Sequence, residues 1–352
     1  MKKILFIGFS LIAATCMAQD DWSESPKLSP ILFVDTFYSF DFDQPEGEQR
    51  QNFFYNHNRH NEVNLNLGLL GLTLDHKKYR ANLTLQAGTY ALDNYSAEKP
   101  EYRIIHSAFA GIALDSESKI WLDAGIFPSH IGFESAKSKD NYTLTRSISA
   151  ENSPYFLTGV KVSYELNESW FVSALLTNGW QRIERLPGNS LPGFGTQVTY
   201  SNDQRKFILN WSSYIGSEFP DSNRKMRIFN DFYGIFQLSD RWSLISGFDI
   251  GVEENADNSG WNTWFSPTLI TYYQLKPKYD IGLRAEYFQD KKGVVISQDP
   301  LATTGMSFNF DYKPSKYIAA RLEGRALVFE ENHLNSLVTI NLAINFDHMF
   351  QF

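Results

Sequence analysis

The stretch Ser336-Leu337-Val338-Thr339-Ile340-Asn341-Leu342-Ala343-Ile344-Asn345-Phe346-Asp347 decides the fold. Val338, Ile340, Leu342, Ile344 and Phe346 alternate with Thr339, Asn341, Ala343, Asn345 and Asp347. A β-strand sends successive side chains to opposite faces, so this order makes one apolar face and one largely polar face. The pattern recurs upstream. Met306, Phe308, Phe310 and Tyr312 oppose Ser307, Asn309, Asp311 and Lys313. Ile318, Ala320, Leu322, Ala326 and Val328 oppose Arg321, Glu323 and Arg325, and Ala81, Leu83, Leu85 and Ala87 oppose Arg80, Asn82, Thr84 and Gln86.

Short polar punctuations separate these segments in pairs. They begin at 75, 115, 167, 201, 239, 276 and 313, at intervals of 34 to 40 residues except for one of 52. Such a period marks a repeated structural unit, here a hairpin. The reading predicts sixteen strands near 30–42, 60–74, 78–91, 102–114, 119–128, 154–166, 170–179, 193–200, 205–216, 227–238, 242–253, 263–275, 279–289, 302–312, 317–330 and 336–350. Most are longer than the ~5–6 residues of soluble sheets, and ~9–11 residues suffice for a tilted strand to cross a bilayer. Tight turns alternate with longer connections at 43–59, 92–101, 129–153, 180–192, 217–226, 254–262, 290–301 and 331–335. Short turns at one end and long loops at the other form the layout of an outer-membrane barrel. Tyr79, Tyr164, Trp170, Tyr200, Phe207, Trp242, Tyr273, Tyr279 and Tyr312 flank the tight turns on the apolar parity, where a membrane interface favours rings. The terminal Phe352 continues the same face.

Composition excludes the other classes. The chain has 352 residues, and its 28 Phe, 18 Tyr and 8 Trp are too many for a disordered polymer. One Cys cannot build a disulfide scaffold. No run beyond the N-terminus reaches the roughly 18 apolar residues of a spanning helix. A propeller needs four short strands per blade, and a sandwich would have fewer and shorter strands. A formal net charge of −8 with no basic cluster predicts no nucleic-acid partner. Residues 1–18 read as a secretory signal peptide: Lys2 and Lys3, an apolar run from Ile4 to Ala14, then Cys16-Met17-Ala18 before Gln19. The expected organisation is a cleaved signal peptide, 1–18, and a barrel domain, 19–352.

If the apolar parity faces lipid, the other faces the lumen. Its expected pore-lining residues include Asp35, Arg80, Asp123, Lys161, Asp249, Arg284, Glu286, Arg321, Glu323 and Arg325, with Glu62, Asn64 and Glu253. A charge on the lipid side near the midplane would cost roughly 2–4 kcal/mol for Arg or Lys, so confinement to one parity is itself an argument for a barrel. Sixteen strands enclose a bore that side chains alone do not fill. The long interval contains 129–153, which is expected to fold inward as a constriction. Glu134, Lys137, Lys139, Asp140 and Arg146 would then stand across a gap from Arg321 and Arg325, and the opposed charges would select solutes.

Catalytic signatures are missing from the sequence. The seven histidines follow no HExxH or Cys/His metal spacing, and no nucleophile elbow or phosphate loop occurs. Asn56-His57-Asn58-Arg59-His60 reads as a solvated loop. No catalytic residue, metal or cofactor is expected.

Several segments carry a family resemblance. Asp35-Thr36-Phe37-Tyr38, Gln86-Ala87-Gly88-Thr89-Tyr90, Leu122 through Ser135, Ser153-Pro154-Tyr155, Thr158-Gly159-Val160 and Leu176-Thr177-Asn178-Gly179-Trp180-Gln181 resemble the OmpL-like β-barrel porin family. The likeness covers nearly the whole mature chain and is most specific from about 31 to 200. It implies an outer-membrane porin of a Gram-negative bacterium and supplies no catalytic residues. The expectation is an all-β, antiparallel, up-and-down transmembrane β-barrel that acts as a passive diffusion channel for small hydrophilic solutes or ions. The alternative is a barrel scaffold or surface-binding protein with an occluded pore. Outer-membrane lipid and small solutes are the expected partners, with a homo-oligomer by analogy to other sixteen-stranded porins.

Overall fold

A computed structural model describes residues 25–351 apart from Glu48, Asp203, Arg205, Asp257, Asn258, 297–299 and 348–349. The predicted signal peptide 1–18 and Phe352 lie outside the described residues. Sixteen long strands run in chain order: β1 Lys27–Asp41, β2 Val63–Asp75, β3 Tyr79–Ala87, β4 Ile105–Ala113, β5 Ile120–Pro128, β6 Phe156–Glu165, β7 Trp170–Thr177 and β8 Gly193–Ser201, then β9 Phe207–Gly216, β10 Arg227–Gln237, β11 Trp242–Glu254, β12 Trp261–Lys276, β13 Tyr279–Asp290, β14 Leu301–Ser315, β15 Ile318–Phe329 and β16 Leu334–Asp347. A two-residue segment, β17 Phe350–Gln351, continues the last strand.

Each strand pairs antiparallel with its sequence neighbours, and β1 also pairs with β16, from Ile31 opposite Asp347 to Asp41 opposite Leu337. The sheet is therefore a closed barrel without a free edge, the condition for a strand protein to sit in lipid. Loops L1 (42–62), L2 (88–104), L3 (129–155), L4 (178–192), L5 (217–226), L6 (255–260), L7 (291–300) and L8 (330–333) gather at one end, and tight turns at the other.

The outside is apolar as alternation requires. Leu70, Leu83, Leu176, Met306, Phe308 and Ile340 are exposed on its surface. Rings meet along the short-turn rim: Trp170 with Tyr200 at 5.0 Å, Phe207 with Phe236 at 5.2 Å, Tyr279 with Tyr312 at 5.1 Å.

The interior departs from a simple polar lumen. Phe33, Leu67, Leu69 and Trp264 are buried inside, because inward-folded loops give them apolar company, and Phe127 packs on Leu157 and Leu175 of the neighbouring strands. Two local features cause part of this. The β1–β2 register shifts between Asp35 and Thr36, and this bulge brings Leu67 and Leu69 inward. The predicted strand 78–91 stops at Ala87, because Gly88 takes φ +119° and a Cβ there would lie 2.4 Å from the Asn66 carbonyl oxygen. Helix α1, Thr89–Asn94, follows and carries Tyr90 into the barrel beside Tyr95.

Candidate functional site

L3 enters the barrel. Its neck is closed by the Ser129 amide, which donates to the Tyr155 carbonyl at 2.9 Å. Inside, Asn141 closes a sub-loop: its Oδ1 accepts from the Ser135 amide at 2.7 Å and its Nδ2 donates to the Ser135 carbonyl at 2.8 Å. The Ser147 hydroxyl caps the short helix α2, Ile148–Glu151, by accepting from the Ala150 amide at 3.2 Å. Glu134 accepts from the amide and the hydroxyl of Ser147.

An irregular loop inside a barrel must satisfy its backbone donors and acceptors. Strands β13 to β15 supply the partners. The Leu144 amide donates to Asn309 Oδ1 at 2.9 Å, the Thr145 amide to Glu323 Oε2 at 2.6 Å, and the Ile148 amide to Glu286 Oε2 at 2.7 Å. The Thr145 carbonyl accepts from Arg284 Nη1 at 2.6 Å, the Thr143 carbonyl from Arg321 Nη1 at 3.2 Å, and the Arg146 carbonyl from Arg325 Nη1 at 3.0 Å. Carboxylates and the Asn309 carboxamide take the amides, and guanidinium groups take the carbonyls. The wall charges are also paired among themselves: Arg284 with Glu323 at 3.0 Å and with Glu286 at 3.1 Å, Arg321 with Asp311 at 2.8 Å, and Arg325 with Glu286. On β11, Asp249 accepts from the Ser149 hydroxyl; its cross-strand neighbour Asp231 accepts from the Gly132 amide at 3.0 Å.

This geometry corrects one expectation. Arg321 and Arg325 face inward, but they do not stand across a gap from L3. They lie under it, 3% exposed, and hold its carbonyls. L3 rests on the wall that was to oppose it, because that wall carries the donors and acceptors its backbone needs.

L1 is a second correction. Asn56, His57, Asn58 and Arg59 do not form a solvated loop; they are buried inside the barrel. His57 Nε2 is 3.0 Å from Asp35 Oδ2, and Asn341 Nδ2 donates to Asp35 Oδ1 at 2.8 Å. His60 Nδ1 accepts from the Asp41 amide at 3.1 Å. Among the described residues, no group of three or more His, Cys, Asp and Glu is placed to hold a metal ion. L1 also touches L3: the Tyr55 amide and the Asn56 side chain donate to Glu151 at 2.9 and 3.2 Å. Phe53 and Phe54 of L1, Ile131 and Ile148 of L3 and Ile296 of L7 form an apolar cluster with Tyr214, Phe229, Trp264 and Phe288, and Trp180 of L4 packs against it.

On the opposite side a cavity remains between L3 and the wall at Asn82, Thr84 and Ser107. Across from L3 one charged node stands on the wall: Asp123 accepts from Arg80 Nε at 2.7 Å and Nη2 at 2.6 Å, with Lys161 Nζ 3.7 Å away. Arg80 reaches over β4 only because Gly111 lies between; a Cβ there would be 2.2 Å from Asp123 Oδ1. Arg80 also lies over the Trp121 ring, 4.3 Å from its centroid. Of the five predicted constriction charges, Glu134 and Arg146 are used within L3, the latter by the Ala150 carbonyl and by Glu151 at 3.8 Å. Lys137, Lys139 and Asp140 have no side-chain hydrogen bond or ion pair among the described residues, and Lys137 and Asp140 line this cavity of about 520 Å³ between L3 and the facing wall. Burial raises Glu134 above the ordinary carboxylate range, against the pull of Arg284, the Ser147 hydrogen bond and Arg146. Burial likewise holds His130, which meets the Ser213 carbonyl at 2.8 Å, down to about 4, so it is neutral near pH 7.

A closed barrel of sixteen strands, apolar outside and narrowed within by an inward third loop, has the architecture of a porin, and the profile of the family described as putative beta-barrel porin-2, OmpL-like, matches residues 30–352. The chain belongs to that family. It is an outer-membrane β-barrel porin. Similar solved structures include the outer membrane channel DcaP of Acinetobacter baumannii, at 12% identity and TM-score 0.64 over 92% of this chain and 98% of that one. An anion-selective porin from Comamonas acidovorans is similar at 9% identity and TM-score 0.64 over 91% and 100%. A trimer form of OmpT of Vibrio cholerae is similar at 9% identity and TM-score 0.62 over 92% and 100%. At such identities the likeness is one of fold. No curated protein matches the sequence.

Proposed function

We propose that this porin conducts small hydrophilic solutes and ions by passive diffusion along the open side of L3, without catalysis, cofactor or metal. The observation that carries the reading is the division of the interior. The wall from β11 to β16 is covered by L3, while between L3 and the facing side a cavity remains, bordered by Lys137 and Asp140 of the loop. The pore-lining role falls to Arg80, Asp123 and Lys161 on the wall and to Lys137, Lys139 and Asp140 on the loop. Asp35, Asp249, Arg284, Glu286, Arg321, Glu323 and Arg325 act as the seat of the inward loops. Four cations against two anions at the passage favour anions. Purified protein in a planar bilayer should give stable conductance steps, with a reversal potential on the anion-permeable side in a salt gradient. Cation selectivity would overturn the assignment of passage residues.

One observation favours a second reading. The L1 tip sits on L3 at the long-loop mouth, in contact with Glu151 and the apolar cluster. A barrel closed by L1 would be silent in wild-type form and would conduct once residues 53–58 are deleted. We further propose that residues 1–18 direct export and are removed, and that copies of the barrel associate in the membrane. N-terminal sequencing of the mature protein and its mass in mild detergent test these.

A further inference from the structure

The cavity beside L3 is flanked by two aromatic pairs. Tyr90 and Tyr155 meet edge to face with centroids 5.1 Å apart, and Phe133 and Tyr233 do so at 5.5 Å. More of the lining is carbon than oxygen or nitrogen, which is unexpected beside a path for hydrated ions. Into this space L3 presents the half-buried ammonium of Lys137, without a hydrogen bond or ion pair among the described residues. A charge withdrawn from water is costly until it meets a counter-charge, so an anion is favoured beside it. Asp140, the other free charge at the cavity, is exposed and keeps its hydration. Glu134 and Arg146 are already engaged within the loop. The charge that lacks compensation is therefore positive, and the surface around it is made of rings.

We propose that this cavity is a binding subsite for an organic carboxylate carrying a ring or a short apolar chain. The carboxylate pairs with Lys137 Nζ, and the apolar body lies between Tyr155, which the buried Tyr90 backs, and the Phe133–Tyr233 pair. Its volume, about 520 Å³, falls within the ~300–1,000 Å³ of small-ligand sites. The inference rests on the channel reading and gives that channel a preferred class of solute.

Benzoate is the probe. Acetate supplies the charge without the ring, and benzyl alcohol the ring without the charge. Binding is measured by calorimetry on the full chain in detergent, and interruption of current is measured in bilayers. Benzoate should bind about tenfold more tightly than either control. Lys137→Gln should reduce benzoate to the level of benzyl alcohol, and Lys137→Arg should retain it. Heat-modifiable migration of both variants confirms that the barrel is intact. Equal binding of benzoate and acetate would overturn the proposal, as would undiminished benzoate binding by Lys137→Gln. The two readings fail separately: Lys137-dependent binding without conductance leaves the subsite and removes the channel, whereas conductance without benzoate binding removes the subsite alone.

Discussion

The two sides of the lumen use charge differently. From β11 to β16, carboxylates and guanidinium groups are buried, paired and committed to the backbone of L3. Across from them, the wall of β3 to β9 presents Asn82, Thr84, Ser107, Ser173, Gln197 and Asn210, with one charged node at Arg80, Asp123 and Lys161. The first arrangement holds a loop where helix and sheet hydrogen bonds are not available to it. In the channel proposed above, the second leaves charge to act on what passes. An inward-facing charge in a barrel is thus not by itself a selectivity residue; its partner decides.

The strongest way to break this division is to remove the seat. Arg284→Ala leaves Glu323 and the Thr145 carbonyl without their cation and Glu286 with Arg325 alone, and loss of one member of a buried pair costs about 3–5 kcal/mol. We expect a lower unfolding midpoint and a larger, noisier conductance as L3 detaches. Unchanged conductance with lowered stability would mean that L3 does not narrow the path.

A milder break concerns the contact between L1 and L3. Glu151→Ala removes the acceptor for the Tyr55 amide and Asn56 side chain, charge-assisted bonds worth about 1.5–3 kcal/mol each at most. Conductance should rise while ion selectivity stays, since the passage charges are untouched. A changed selectivity would place L1 among the residues that sort ions.

On the open side, stability and selectivity should separate in the opposite sense. Lys161→Glu exchanges one charge for its opposite beside Asp123. A unit charge in a water-filled path is worth about 1 kcal/mol to an ion at contact, so the anion-to-cation permeability ratio should fall several-fold while the unfolding midpoint moves little. The reversal potential and a thermal melt measured together test this.

The smallest expected effect is with pH. Because burial raises Glu134, its carboxyl takes a proton as the pH falls through that raised value. Protonation neutralises the L3 carboxyl that borders the cavity, and anion preference should increase as the pH falls through that raised value. A group raised in this way stabilises the fold at low pH and loses that contribution as pH rises through its folded value. Acid should therefore not loosen L3 through this residue. Glu134→Gln should abolish the selectivity step; its persistence would assign the step elsewhere.

Most of the barrel was legible because lipid enforces alternation. Leu322, Arg321 and Glu323 could face only one way each, and the hairpin period placed the turns. What was not legible depends on contacts across the lumen. A strand pattern does not reveal a one-residue bulge, so nothing near Leu67 and Leu69 announced that they turn inward. Gly88 looked like a residue within a strand until its positive φ and close approach to Asn66 ended that strand. Asn56 through Arg59 are polar, and polar loop residues suggest water; here Asp35, Asn66 and Glu151 supply their partners instead. The inward direction of Arg284, Arg321 and Arg325 was readable, but not their engagement with backbone carbonyls, since L3 carries no pattern that names its seat.

The seat of L3 lies far along the chain. Thr145 meets Glu323, 178 residues later, and Leu144 meets Asn309, 165 residues later. Contacts of such separation form late, after shorter closures have brought their ends together. L3 leaves the ribosome well before the strands that anchor it, and it cannot settle until the C-terminal third has joined the sheet. The narrowing therefore serves as a record of completed assembly: a barrel whose last hairpins fail to insert would lack the surface on which its own aperture is built.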